Sequence, residues 1–388
     1  MKAKELLVIV SLLFSTAGVV CAQYQSRVIT TAAPFLTYSP DARAAAMGEC
    51  GVATDADAFS MYYNPAKYAF MEKHTVIASG FDFWMNYYVS PLPMNLYNAF
   101  AQKIGRSAIA VTARYYTAGE IEIVDEHNQS LGTFSPHEFA ADAAYSYRFG
   151  DYLSAGLAAR FIYSKLTPSF NDSKNAGMSI AGDIGVYYNR PLGRVVDLSL
   201  GASITNIGTK MNYFSYSDKK DFIPTTMRLG AGVKVNFHPK HSLAFNVQFS
   251  KLLVPTPPIR NMQTGEVIYG YDDNVSVVAG ILHSFYDAPG YSYNPVTGGY
   301  DNIGKFYEEL CEINTGIGLE YNLADHFFVR NGFYHRPALK GGENYLCSGL
   351  GMHFGIFGMD VSLNTPIYTK AGTNYYSSVI RWNMYFDF

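Results

Sequence analysis

The segment Thr226-Met-Arg-Leu-Gly-Ala-Gly-Val-Lys-Val-Asn-Phe237 alternates strictly between apolar side chains and small or polar ones. A period of two residues is the period of a β-strand. Strands of soluble proteins usually have about five or six residues, whereas a tilted strand needs about ten to cross a bilayer. The segment therefore predicts a strand that spans a membrane, with Arg228, Gly230, Gly232 and Lys234 on its polar side.

The same alternation recurs from residue 74 to the last residue. The final segment places Ile380, Trp382, Met384, Phe386 and Phe388 on one face. A closing strand that ends in an aromatic residue is typical of outer-membrane barrels, and an ordinary edge strand is the alternative. Fifteen such segments begin near Thr75, Asn95, Ser107, Glu138, Leu153, Ala176, Val195, Thr226, Ser242, Asn274, Leu310, His326, Tyr345, Phe357 and Ser378.

Bacterial single-chain barrels have an even number of strands, so one segment does not span. The links at 105–106, 150–151, 239–240, 322–325 and 355–356 are short, as expected of periplasmic turns. They stay on one side of the membrane only if 274–285 is a helix or partial strand inside an external loop. We therefore predict an all-β transmembrane fold: a 14-stranded antiparallel outer-membrane β-barrel over residues 74–388. Its external loops would be 87–94, 118–137, 167–175, 208–224, 253–309 (the longest), 337–344 and 367–376.

Composition agrees with a membrane barrel. Aromatic residues make up 15% of the chain and charged residues only 16%. Aromatic rings suit the boundary between lipid and water, where strands of such barrels end. The formal charge of -3 gives no attraction to nucleic acid, which we exclude as a partner.

The N-terminus predicts a signal peptide over residues 1–22. Lys2 and Lys4 precede the apolar run 6–20, and cleavage is expected before Gln23. A lipoprotein would instead be acylated on Cys21, but Val19 and Val20 lack the small residue expected before it. Cys50, Cys311 and Cys347 remain, an odd number that favours small buried or lipid-facing thiols over a bridge.

Residues 23–73 do not alternate as strands do, and predict a plug, or hatch, of two short helices. In Ser39-Pro40-Asp41 a capping hydroxyl, a proline and a carboxylate predict a helix start, and Gly48 and Gly51 would end that helix. Asn64-Pro65-Ala66 predicts a second start of the same kind. The natural place for these helices is in or under the barrel mouth.

These residues also carry a family resemblance. The run Ser39-Pro-Asp-Ala-Arg-Ala-Ala-Ala-Met-Gly48, Gly51-Val-Ala-Thr54 and Tyr63-Asn-Pro-Ala-Lys-Tyr-Ala-Phe70 resembles the N-terminal signature of the PorV (LptO) family of the type IX secretion system. The Asn64-Pro65-Ala66 element is similar to one in the hatch of the FadL fatty-acid channels. The stretches 251–258 and 284–290 also resemble the family, whereas the insertion 291–307 departs from it.

The resemblance implies a protein of the outer membrane of a Gram-negative, Bacteroidota-like cell that performs no chemistry itself. It would bind the C-terminal signal domain of cargo leaving a large translocon barrel of the Sov/SprA type. It would then deliver that cargo to the surface attachment complex that contains the PorU sortase. Besides these proteins, the implied partner is outer-membrane lipid.

Partner contacts are expected in the longest loop, whose prolines cannot donate to a strand ladder. The candidate residues are Leu253, Val254, Pro255, Pro257, Pro258, Phe285 and Tyr286. The candidate plug residues are Pro40, Asp41, Arg43, Gly48, Asn64 and Pro65.

Two other functions remain open. A FadL-like channel for hydrophobic solutes would need a continuous apolar pocket beneath the loops, and Asp55, Asp57 and Arg43 would be its polar plug residues. A lipid A deacylase would need a Ser/His pair, and His283-Ser284 is the adjacent one, although sequence neighbours point apart on a strand. His238 and His241 make an incomplete metal site, so we predict no catalytic residue, metal or cofactor. A lipid or detergent molecule could occupy the lumen.

Overall fold

The computed structural model describes residues 27–85, 93–168, 175–213, 220–294, 297–367 and 378–388. Within these ranges, fourteen antiparallel strands close a barrel, as predicted. The closing pair joins the first strand to the last, with Phe81 opposite Trp382. In chain order the strands are β1 (Thr75–Met85), β2 (Met94–Ile104), β3 (Ser107–Thr117), β4 (His137–Phe149), β5 (Leu153–Lys165), β6 (Gly177–Leu192), β7 (Val196–Gly208), β8 (Thr226–His238), β9 (His241–Leu252), β10 (Asn314–Leu323), β11 (Phe327–His335), β12 (Asn344–Phe354), β13 (Phe357–Pro366) and β14 (Ser378–Asp387).

The alternation read from the sequence separates a lipid-facing side from a lumen-facing side. On β8, Leu229 and Phe237 are exposed on the outside, and Arg228 is buried inside the barrel. Closure pairs the backbone groups of every strand with a neighbour, which a bilayer requires because it offers no water to them. The short connections lie at one end of the barrel, which we call the short-turn end and assign to the periplasm. The opposite end is the long-loop end.

Thirteen of the fourteen strands begin within one residue of their predicted starts. The prediction that a strand begins near Leu310 is wrong, because 305–310 is helical and β10 begins at Asn314. Glu308 and Glu312 hold that segment in place by ion pairs with Lys340. A short helix satisfies its own backbone groups there, above the strands.

The plug segment (residues 27–73) precedes β1. It contains α1 (Ala42–Ala46), α2 (Ser60–Tyr63) and two 3₁₀ helices, Pro34–Thr37 and Pro65–Phe70. The predicted cap of the first helix was wrong by two residues. Asp41, not Ser39, is the N-cap, because its extended backbone lets its own carboxylate accept the Arg43 amide hydrogen at 2.8 Å. The second start is confirmed, since the Asn64 side chain accepts the Ala66 amide hydrogen at 3.1 Å.

The longest loop contains α3 (Val277–His283) and α4 (Lys305–Leu310). The segment 274–285 is therefore a helix that does not span, as the parity of the turns required. The insertion 291–307 supplies a small hairpin, Tyr291–Asn294 with Gly299–Asn302, and the start of α4. Two other small hairpins in the loops are Ile121–Val124 with Ser130–Phe134 and Ile259–Arg260 with Val267–Tyr269.

Several predictions concern residues outside the described ranges. The signal peptide, its cleavage before Gln23, and Cys21 lie there, as do parts of the loops 87–94, 167–175, 208–224 and 367–376. Cys50, Cys311 and Cys347 are described, and the thiols of all three are buried, as favoured. Among the described residues, no helix is both long and apolar enough to cross a membrane.

Candidate functional site

The plug segment runs down the inside of the barrel from the long-loop end to the short-turn end. Near its start, the Arg27 amide donates to the Leu339 carbonyl at 2.7 Å, and the Ala32 amide donates to the Phe222 carbonyl at 2.8 Å. Leu339 and Phe222 both belong to external connections. At its other end, the His74 amide donates to the Phe388 carbonyl at 2.9 Å. The chain thus fills the lumen before the first strand begins.

Glycines of the wall receive the turn that follows α1. Gly48 has a positive φ of 68°, and its backbone lies against β10 and β11. A Cβ on Gly332 would come within 2.3 Å of the Gly48 nitrogen, and one on Gly316 within 2.1 Å of the Gly48 oxygen. Side chains of any size at these wall positions would displace the plug.

Two further groups of wall glycines receive the rest of the signature. A Cβ on Gly201 would lie 2.0 Å from the Val52 oxygen. A Cβ on Gly156 would lie 2.5 Å from the Ala66 nitrogen, and one on Gly185 would lie 2.1 Å from the Asn64 side-chain oxygen. The motifs around Gly48, Val52 and Asn64 are therefore the parts of the plug that touch the wall backbone most closely.

Charged groups bind the plug to the wall in addition. The Arg43 guanidinium donates to both carboxylate oxygens of Glu320, at 2.8 and 2.7 Å. Glu320 also accepts from Arg330 of β11 at 2.6 Å. Lys234 of β8 lies 3.2 Å from Asp55, and Asp57 lies 3.6 Å from Lys67 within the plug. Arg43 and Asp55 thus form ion pairs that hold the plug to the wall, whereas the pairs of Asp57 lie within the plug.

Ser39 and Pro40 are tied to the last strand, and Asp41 follows them as the buried N-cap of α1. The Asn383 side chain donates to the Pro40 carbonyl at 2.9 Å, and Arg381 donates to the Ser39 carbonyl at 2.9 Å. Asn64 also donates to the Val186 carbonyl on β6 at 2.9 Å. Each predicted plug residue is therefore buried or partly buried against the wall, and Pro65 is among the buried ones.

The upper lumen is apolar, and the plug segment itself fills it. Phe35 and Leu36 are fully buried in one cluster with Ile162, Met211 and Ile223. These three residues come from β5 and from the external connection between β7 and β8. A hydrophobic solute would need the volume that Phe35 and Leu36 occupy.

The outer surface of the long loop contrasts with this filled interior. Val278 and Leu282, one helical turn apart on α3, are 69% and 60% exposed. Phe285 and Tyr286 follow α3 and are also exposed. We call Val278, Leu282, Phe285 and Tyr286 the α3 surface.

The other predicted partner residues support the loop from below. Leu253 and Val254 are each 1% exposed, and Pro255 is buried. Pro257 and Pro258 are half-buried. Gly280 of α3 faces Phe222 and Pro255 closely enough that a Cβ would lie 2.8 Å from the Phe222 ring. Pro255 packs under α3, and Phe285 and Tyr286 are the predicted partner residues with large exposed side chains.

A buried ion network holds the loop to its neighbours. Glu312 binds Lys340 at 2.8 Å and accepts from the Thr256 hydroxyl at 2.7 Å. Glu312 also pairs with Lys251, and Glu308 pairs with Lys340 and Arg27. Burial alone would raise the pKa of Glu312, but Lys340 and Lys251 outweigh it and hold that pKa below its usual value. The long loop, the 337–344 loop and the start of the plug segment form one connected unit.

The candidate catalytic and metal residues do not assemble. The Ser284 hydroxyl donates to the Ile281 carbonyl at 2.8 Å, while the His283 ring packs near Tyr286. His241 contacts the Tyr321 hydroxyl, and His238 accepts from the Lys240 amide. Within the described ranges, no three His, Cys, Asp or Glu side chains are grouped as metal ligands would be.

The wall glycines were missed as site residues. The sequence did contain a signal for these glycines. Gly230 and Gly232 are two residues apart on the lumen side of β8, as Gly316 and Gly318 are on β10. Glycine weakens a strand, so two on one face indicate a close approach by another backbone. What approaches them could not be known before the plug was placed.

Solved structures share the fold. The chain is similar to the toluene transporter TbuX of Ralstonia pickettii, with 13% identity, 90% of this chain and 98% of that one covered, and a TM-score of 0.52. It is also similar to the toluene transporter TodX of Pseudomonas putida, with 11% identity, 93% and 98% covered, and a TM-score of 0.51. A FadL homologue of Pseudomonas aeruginosa aligns with 11% identity, 94% and 100% covered, and a TM-score of 0.42.

No curated protein sequence is detectably similar to the chain. The sequence profile of the family described as "Type IX secretion system protein PorV" matches residues 21–259. That range includes the plug segment, the first nine strands and the beginning of the long loop. The resemblance carried by Gly48 and Asn64 is thereby confirmed, and the chain is an outer-membrane barrel that belongs to the PorV family of the type IX secretion system.

Proposed function

We propose that the protein is a docking and shuttle protein of type IX secretion, which binds the C-terminal signal domain of exported cargo at its long-loop end. It would receive the cargo from a Sov/SprA-like translocon and pass it to a PorU-like sortase complex at the cell surface. The barrel would carry no catalytic residue and no cofactor. The observation that carries this proposal is the contrast between a lumen filled by its own plug and an exposed apolar α3 surface.

The filled lumen supports binding over transport. Opening a path would separate Arg43 from Glu320 and expose both charges, while the wall glycines leave no slack around Gly48. A fixed plug of this kind favours a protein that binds partners at its outer surface over one that transports solutes through its lumen.

The α3 surface has the character of a protein contact. Leu282 and Phe285 are large, exposed and carried on a loop that the ion network of Glu312 holds in place. Exposed apolar groups on a fixed support are the usual centre of a protein interface, because they lose little conformational freedom on binding.

A channel for hydrophobic solutes is the second candidate, since the solved relatives TbuX and TodX are toluene transporters. Phe35 and Leu36 oppose it by occupying the apolar upper lumen. The third candidate, lipid A deacylation, gains no support from Ser284, whose hydroxyl is bonded to its own helix.

The test is capture of the tagged full-length protein from its native membrane in a gentle detergent, followed by mass spectrometry. The proposal expects a very large barrel, a sortase-like protein or exported proteins that share a C-terminal β-domain. Leu282→Ser should lose them, whereas Met262→Ser, in another exposed part of the same loop, should keep them. Recovery of the barrel alone with a hydrophobic solute would overturn the proposal in favour of the channel.

A further inference from the structure

A cationic, aromatic corner lies at the short-turn end of the wall, where β5, β6 and β7 meet. Arg190 is on the outward side of β6, in line with the exposed residues Ile184 and Val186. Its guanidinium lies 5.4 Å from the centre of the Tyr152 ring. The Tyr152 and Tyr188 rings are 6.4 Å apart, so the ring that contacts the cation has a second ring beside it.

The backbone holds this corner together. Tyr152 is in the turn between β4 and β5, and its carbonyl accepts the Asn189 amide hydrogen at 2.8 Å. Leu153 pairs with Tyr188 across the two strands. Arg194, in the following turn, adds a second exposed cation four residues from Arg190. The Tyr152 ring and the Arg190 guanidinium are thus positioned by backbone pairing between the ends of neighbouring strands.

No carboxylate in the described part of the chain pairs with the cations of the corner. Neither Arg190 nor Arg194 forms an ion pair with a carboxylate of the described residues. Asp197, the acidic residue of the same hairpin, is on the lumen side and accepts from Asn236 at 2.7 Å. The nearby acid, Asp151, lies in the turn beside Tyr152, and its carbonyl oxygen accepts from Arg148.

The position of the corner indicates its occupant. Leu153 and Leu192 are exposed beside it and continue the lipid-facing side of the wall. Arginine and tyrosine at the end of a lipid-facing strand lie at headgroup level, where basic groups attract anionic lipid. Guanidinium groups bind phosphate oxygens in pairs of hydrogen bonds.

We propose that Arg190, Tyr152, Tyr188 and Arg194 form a binding site for the phosphate of an anionic phospholipid in the periplasmic leaflet. The acyl chains would lie along the outward side chains of β5 and β6. Arg190 supplies the forked contact, the two tyrosines orient it, and Arg194 contributes the second charge. This site is independent of whatever the loops at the other end bind.

The test uses the purified full-length protein in nanodiscs that contain phosphatidylglycerol and phosphatidylcholine in equal amounts. Native mass spectrometry after mild detergent exchange counts the lipid that stays bound. The wild type should retain phosphatidylglycerol in preference to phosphatidylcholine. Arg190→Gln and Arg194→Gln should each lower the retained phosphatidylglycerol by about fivefold, the effect of one basic group at a membrane surface.

Lys240→Gln is the matched control, because Lys240 is an exposed cation in the short turn between β8 and β9, beyond this corner. Lys240→Gln should leave the retention of phosphatidylglycerol unchanged, and Arg190→Lys should retain more phosphatidylglycerol than Arg190→Gln does. All four variants should show the wild-type heat-modifiable migration on gels, because Arg190, Arg194 and Lys240 are exposed. Equal retention of the two lipids by the wild type, or an equal loss from Lys240→Gln, would overturn the proposal. So would unchanged retention of phosphatidylglycerol by Arg190→Gln.

Discussion

Gly48 of the plug and Gly332 of the barrel wall pack backbone against backbone, so that a single carbon atom added to Gly332 would meet the Gly48 nitrogen at 2.3 Å. Contacts this close leave no space for a hinge at Gly48. They make the plug a fixed part of the barrel, so partners are expected to bind at the outer surfaces.

Gly332→Ala should therefore loosen the plug. Overpacking of a tight site costs about 1–3 kcal/mol, and here the backbone of Gly48 would have to move. We expect a lower unfolding temperature in detergent and measurable ion conductance in planar bilayers. Gly182→Ala is the control, since its Cβ would meet the Ala158 oxygen at an ordinary 3.4 Å. Wild-type stability and a closed lumen in Gly332→Ala would refute the fixed plug.

Glu320→Gln should destabilise the barrel by about 3–5 kcal/mol, because it leaves Arg43 and Arg330 buried without their shared carboxylate. Chemical unfolding in detergent measures the change. Asp272→Asn removes a partner of Arg260 in an exposed pair and should change stability by less than about 1 kcal/mol. Equal losses of stability in the two variants would show that the ion pairs of Glu320 in the lumen stabilise the protein no more than an exposed ion pair does.

Phe35→Ala should create a cavity in the apolar upper lumen. Removing a buried phenylalanine costs about 3–5 kcal/mol when the site does not collapse. The variant should bind toluene, observed by calorimetry, while the wild type should not. Toluene binding of equal strength by both proteins would mean that Phe35 does not occupy the solute path.

The folded long loop should be more stable at pH 5 than at pH 7.5. Burial raises the pKa of Asp287 to about 6, although hydrogen bonds from Thr256 lower it in part. A group whose folded pKa is raised contributes stability below its unfolded pKa, and this stability is lost as pH rises through the folded value. The protection of the α3 amides against hydrogen exchange, corrected for the intrinsic pH dependence of the exchange rate, should therefore be higher at pH 5.

Asp287→Asn should remove this dependence between pH 5 and 7.5, because the amide cannot ionise and its oxygen can still accept from Thr256. Below about pH 4 the opposite trend is expected. Glu312 has a lowered pKa, so the stability from its pairs with Lys340 and Lys251 is lost as pH falls. Corrected protection of α3 in the wild type that is equal at the two pH values, or lower at pH 5, would contradict the assignment of Asp287.

Sequence alone predicted the barrel because lipid imposes a strict period on every spanning strand, as in 226–237. The arrangement of the turns excluded 274–285 as a spanning strand, because the short turns stay on one side of the membrane only if this segment does not cross it. The start of β10 was misplaced because Glu308 and Glu312 are positioned by Lys340, which is distant in sequence. Such contacts leave no local pattern.

The candidate site was predictable only in part. Asn64 and Gly48 stood out because caps and positive φ select particular residues. Leu253 and Phe285 looked alike in sequence, as apolar residues of one loop, and only the packing of Pro255 under Gly280 separates the buried from the exposed. Burial within a loop depends on its folded shape, which alternation does not describe.

The central claim is that the exposed α3 surface, not the lumen, binds cargo. The most direct measurement is the affinity of the purified full-length protein for a purified C-terminal β-domain of an exported protein, by calorimetry. Loss of a central interface side chain costs about 2 kcal/mol or more, so Leu282→Ser should weaken binding about thirtyfold or more, while Met262→Ser should not. Equal affinities of Leu282→Ser and the wild type, or no binding by the wild type, would contradict the account.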